Sequence, residues 1–102
     1  MNKYTVIISE NAQTDLRNLS ETISYEYKAP VTAKKYLKEL YAEMSKLSRG
    51  AESYPSQTRA FYRQYGFNVR AIIYKKMTIV YVVVNQCVYI KGVIPSATIK
   101  GL

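Results

Sequence analysis

The chain reads as an α+β domain: an N-terminal strand, an antiparallel helical hairpin, then a three- to four-strand antiparallel meander. Three observations predict this. Apolar residues recur at steps of three and four between Ala12 and Leu47. A short join containing Pro30 divides that stretch in two. After Gln57 the period changes, and runs rich in β-branched and aromatic residues alternate with short turns. Helices in one block and strands in another segregate into layers, with the hairpin on one face of the sheet.

Tyr4 to Ser9 is the first strand, with Tyr4, Val6 and Ile8 on one side. Ser9 is placed as an N-cap, and Glu10 sits in the first turn, where the helix dipole favours a carboxylate. Ala12, Leu16, Leu19, Ile23 and Tyr27 form the stripe of the first helix, which Lys28-Ala29-Pro30 ends. Pro30 suits the first turn of the second helix. Ala33, Leu37, Leu40, Tyr41, Met44 and Leu47 are its stripe, and Gly50 is expected as a left-handed C-cap.

Ala51 to Gln57 is a loop around Pro55. Four strands are expected next: Thr58–Tyr65, Asn68–Tyr74, Met77–Val84 and Val88–Ile94. Lys75-Lys76 and Asn85-Gln86 are hairpin turns. Met77–Val84 is almost continuously apolar, as a central strand covered on both sides would be. Pro95 stops the last strand. The face away from the helices has no second layer and should display Arg, Lys and Tyr.

All 102 residues fit one domain, residues 1–102. The N-terminus reads as a strand, with no small-residue cleavage site of the secretory kind. No run approaches the roughly 20 apolar residues that span a bilayer, so no membrane role is expected. Cys87 stands alone and is read as a small buried hydrophobe, which suits a reducing cytoplasm. No metal-ligand spacing occurs, and no metal or cofactor is expected.

The charge is uneven. Glu52 is the last acidic residue, and Arg59, Arg63, Arg70, Lys75, Lys76, Lys91 and Lys100 follow it. The net charge of +8 therefore lies almost wholly in the second half. Such a surface attracts polyanions. With neither carboxylate nor histidine, that half excludes a carboxylate dyad and a His-centred triad.

Residue order and spacing over the whole chain resemble the RelE/ParE superfamily of toxins from bacterial type II toxin–antitoxin systems. The resemblance rests on Val6-Ile7-Ile8-Ser9 followed by Ala12 and Asp15-Leu16, and on Pro30, Ala33, Leu40 and Leu47. Its most telling stretch is Arg70-Ala71-Ile72-Ile73-Tyr74-Lys75-Lys76-Met77-Thr78-Ile79-Val80-Tyr81. The long hairpin is more like the ParE branch. Two features differ from members that cut mRNA: Thr78 stands where they carry an Arg, and Val93 to Thr98 holds no basic, His or Tyr residue.

The resemblance implies three readings. The first is ribosome-associated mRNA cleavage by a metal-independent endoribonuclease (an mRNA interferase), which the uncompensated cationic half favours. The second is non-enzymatic poisoning of DNA gyrase. The third is an inactive basic binding module. For RNA cleavage the catalytic candidates are Arg70, Lys75 and Lys76. Arginine forks match a phosphorane, and a lysine serves as base if its pKa falls from about 10.4 toward neutrality. Arg59, Arg63, Tyr62, Tyr65 and Tyr81 are the substrate-binding candidates, the tyrosines by stacking on bases. Both toxin readings imply a cognate antitoxin with a net acidic toxin-binding segment.

Overall fold

Strand β1 (Thr5–Ile8) runs directly into helix α1 (Glu10–Glu21) in a computed structural model that describes residues 3–99. Ser9 is the expected cap: its backbone is extended, and its hydroxyl accepts the Ala12 N–H at 3.2 Å. Its own N–H donates to the Ile90 carbonyl, tying the helix start to the sheet.

The first helix does not keep α geometry to Tyr27. Thr22–Glu26 forms a π turn, and Lys28 adopts a left-handed φ of 50°. The Ala29 N–H closes the turn on the Ile23 carbonyl at 3.2 Å. This widening ends the apolar stripe at Ile23 and turns Tyr25 and Tyr27 outward.

Helix α2 (Pro30–Gly50) opens on Pro30 as expected and buries Ala33, Leu40, Met44 and Leu47. Burying side chains of the Leu and Met kind contributes roughly 1.5–3 kcal/mol each, which docks the hairpin. Gly50 is not a left-handed cap. Its φ is −138°, and the chain tightens into a 3₁₀ turn at Ala51–Ser53. The cause is packing: Ala51 is fully buried, and its carbonyl accepts the Tyr81 hydroxyl at 2.7 Å.

Strands β2 (Arg70–Tyr74), β3 (Met77–Val84) and β4 (Cys87–Pro95) form the antiparallel meander. β1 joins it in parallel beside β4, giving one sheet of order β1-β4-β3-β2. Both two-residue turns place their first residue, Lys75 and Asn85, at positive φ. Val80 pairs with Gly92 and Tyr81 with Ile90, so Lys91 is the extra residue of a bulge. The bulge resets the alternation, leaving Val88, Ile90 and Val93 all on the helix side.

β1 ends at Ile8, and Asp15 of α1 takes over beyond it, accepting the Val93 N–H at 3.0 Å. Gly92 permits this approach, since a Cβ there would sit 3.3 Å from Asp15 Oδ2 and 3.4 Å from the Tyr65 ring.

The region expected as strand Thr58–Tyr65 is instead a 3₁₀ helix, Ala60–Tyr65. Phe61, Tyr62 and Tyr65 fall on one side of it and pack over Val69, Val80, Val82 and Ile94, with Ile99 alongside. The face expected to be bare thus carries a second, smaller core. Aromatic side chains that suit a strand also suit a one-sided helical turn when a sheet lies below them. Among the described residues, no helix is long and apolar enough to cross a membrane.

Candidate functional site

The residues expected to share one site lie in three places. Arg70 opens β2 and is half-buried. Its Nη1 donates to the main-chain carbonyl of Glu52 at 3.2 Å and to that of Tyr54. The Tyr4 hydroxyl donates to the Glu52 carboxylate, which raises the tyrosine pKa. Arg70 therefore clamps the turn that follows α2. Its guanidinium is directed at backbone carbonyls, contrary to the expectation of a free phosphate ligand.

Lys75 sits past the other end of β2, about 16 Å of strand away. Its Nζ lies 3.0 Å from Glu39 Oε1 and over the rings of Tyr36 and Tyr74, at 5.6 and 5.4 Å from their centroids. The Tyr74 hydroxyl donates to the same carboxylate oxygen at 2.8 Å. The Glu39 hydrogen bond raises the Lys75 pKa. A lysine serving as general base needs the opposite shift. Glu39 is shifted down, chiefly by the Tyr74 hydroxyl and then by Lys75. Lys76 is exposed beside this clamp, and its carbonyl accepts the Ser96 N–H.

The binding candidates are divided as well. Tyr81 is fully buried on the helix side of the sheet, with its hydroxyl on the Ala51 carbonyl. Burial pushes its pKa up to about 12. No base can stack on it, which corrects its assignment as a substrate-binding residue. Tyr62 belongs to the opposite core and is 5% exposed, so its ring is packing first. Tyr65 is half-buried there, with its pKa raised by burial and then by the Asp15 charge. Thr78 is buried and bonded to Ser96 at 2.7 Å, so this position offers no cation. Cys87 is half-buried rather than buried, and Lys100 lies outside the described residues.

Arg59 and Arg63 are exposed at either end of the 3₁₀ segment. Arg63 borders a groove of about 540 Å³ together with Gln57, Thr58, Tyr62, Phe67 and Asn68. Phe67 is 94% exposed. Its turn passes through left-handed φ at Gly66 (119°) and Asn68 (52°), and hydrogen bonds hold it on both sides: the Gly66 N–H donates to the Arg63 carbonyl at 3.2 Å and the Gln57 N–H to the Val69 carbonyl at 2.7 Å. Sequence reasoning missed Gln57, Phe67 and Asn68. The signal present was Gly66-Phe67-Asn68, a large aromatic between two turn-forming residues.

The family model described as "ParE toxin of type II toxin-antitoxin system, parDE" matches residues 6–99. Among solved structures, the fold is similar to that of "Chromosomal ParDE TA system from P. aeruginosa", with a TM-score of 0.76. That likeness covers 91% of this chain and 96% of the other at 13% identity, so it speaks to fold. No curated protein matches the sequence.

Proposed function

The chain belongs to the ParE toxin family of type II toxin–antitoxin systems, and from that premise we propose that it arrests bacterial growth by binding DNA gyrase, with no chemical step of its own. One observation carries this reading over mRNA cleavage: the catalytic candidates do not converge. Arg70 is engaged with the Glu52 and Tyr54 carbonyls, and Lys75 with Glu39, at opposite ends of β2. Metal-independent RNA cleavage needs a base, an acid and a phosphorane-binding group around one phosphate. A binding poison needs no such convergence, only a rigid surface that fits its target, and the core on both sides of the sheet supports the rigidity.

The reading includes a cognate antitoxin that holds the toxin silent. Its toxin-binding segment is net acidic, because the half of the chain after Glu52 carries no carboxylate. The chain then acts in the cytoplasm, where its target is found.

The test is direct. Purified protein is added to gyrase, ATP and relaxed plasmid. Supercoiling should fall, and cleaved plasmid should accumulate when the mixture is quenched with detergent. Unimpaired supercoiling, with codon-phased cuts in ribosome-bound mRNA, would overturn the proposal in favour of the ribosomal reading.

A further inference from the structure

The groove beside Phe67 combines features that the gyrase reading does not use. We infer that it binds single-stranded nucleic acid, with one unpaired base stacked on the Phe67 ring and the adjoining phosphate on Arg63.

The platform is preorganised. A phenylalanine 94% exposed to water gains nothing for the fold, yet the chain is tied before it by the Gly66 N–H on the Arg63 carbonyl at 3.2 Å and after it by the Gln57 N–H on the Val69 carbonyl at 2.7 Å. An exposed flat ring on a fixed turn stacks a base with little loss of conformational freedom.

The rim has the matching chemistry. Gln57 and Asn68 each offer a carbonyl acceptor and an amide donor, the pair of groups that base edges satisfy, and Thr58 adds a hydroxyl. Arg63 supplies a fork for phosphate, and no carboxylate lines the groove. Arg59 lies at the other end of the same 3₁₀ segment, and no acidic residue follows Glu52 in the chain. The volume, about 540 Å³, is that of a small-ligand site.

The strand must be single. A base within a duplex has no free face for the ring, whereas an unpaired one does. An acidic peptide would satisfy Arg63 with a carboxylate and the two amides with its backbone, but without an aromatic side chain it has no aromatic face for the Phe67 ring. The inference stands apart from the gyrase reading, since the groove and the binding measured on it need no gyrase.

The test uses the absence of tryptophan from the chain. In Phe67→Trp the tryptophan emission, excited where the eleven tyrosines do not absorb, reports this ring alone. The probe is a mixed-sequence DNA oligonucleotide of about 12 nucleotides, within the usual span of single-strand sites. Its addition should quench the emission saturably. Binding of the labelled oligonucleotide should weaken roughly ten-fold in Phe67→Ala, the effect of losing one stacked base, and stay at wild-type strength in Phe67→Trp. Because Phe67 is exposed, both variants should keep the wild-type circular dichroism spectrum. The same sequence as a duplex should bind more weakly.

Three results would each overturn the inference. The oligonucleotide binds while the emission stays unmoved. Phe67→Ala weakens inorganic polyphosphate as much as the oligonucleotide, which marks a surface effect of charge. An acidic phenylalanine-containing peptide of equal length binds more tightly than the oligonucleotide.

Discussion

Arg70 Nη1 donates to the main-chain carbonyl of Glu52 at 3.2 Å, joining the start of β2 to the turn after α2. With the second bond to Tyr54, one side chain satisfies two carbonyls of the turn that Tyr81 and Tyr4 also hold, at the Ala51 carbonyl and the Glu52 carboxylate. The resemblance makes Arg70 a catalytic candidate, but its hydrogen bonds tie it to the turn after α2.

Arg70→Ala is accordingly expected to lower folding stability by about 1–2 kcal/mol, the loss of hydrogen bonds from a charged donor that is partly exposed. Arg70→Lys should recover only part of this, because an ammonium lacks the planar fork. Urea unfolding midpoints measure both. Toxicity per folded molecule should survive in Arg70→Ala; its complete loss at unchanged stability would return Arg70 to the mechanism.

The Glu39–Lys75 clamp sets a pH window. The folded Glu39 pKa lies below its ordinary value, so its contribution is present above the usual carboxylate range and lost as pH falls through the folded value. The folded Lys75 pKa lies above its ordinary value, so its contribution is present below the ammonium range and lost as pH rises through the folded value. Glu39→Gln should therefore flatten the acid limb of a stability–pH curve and soften the alkaline limb. Thermal melts from acid to alkaline buffers would show this, and an unchanged acid limb would exclude the clamp as a stabilising pair.

Tyr81 gives a second alkaline signature. Its unfolded form ionises near pH 10, whereas burial holds the folded form neutral to about 12. Stability should fall as pH climbs between those values. Tyr81→Phe should remove that dependence and cost about 1–2 kcal/mol at neutral pH, because the buried hydrogen bond to the Ala51 carbonyl is lost. Spectrophotometric titration of tyrosine absorbance, with unfolding curves at each pH, tests both.

How much of this was legible depended on whether a residue pattern had one physical solution. Met77–Val84 was read with its observed bounds because eight nearly unbroken apolar residues fit only a strand with cover on both sides. The helix stripes and the Ser9 cap were readable for the same reason. Ala60–Tyr65 was not. Its aromatic residues satisfy strand propensity and one-sided helical packing equally, and the sheet beneath decides. The π turn at Thr22–Glu26 left no periodic trace, since Ile23 and Tyr27 keep helical spacing in the sequence while the backbone widens. At the site, residue type pointed to phosphate chemistry, but the partners of Arg70 and Lys75 lie 16 to 36 positions away in sequence.

The antitoxin complex should be salt-sensitive. Its acidic segment meets a surface whose cations face solvent at Arg59, Arg63 and Lys76, so added salt screens the attraction. Titration calorimetry at rising salt should show weakening affinity. Constant affinity would mean that apolar burial alone holds the complex.

Pulse-labelling of new DNA and new protein in one bacterial culture, after tight induction of the chain, tests the central claim most directly. Gyrase poisoning predicts that DNA synthesis fails first, with a DNA-damage response, while protein synthesis continues. Protein synthesis stopping first, with DNA synthesis intact, would contradict it.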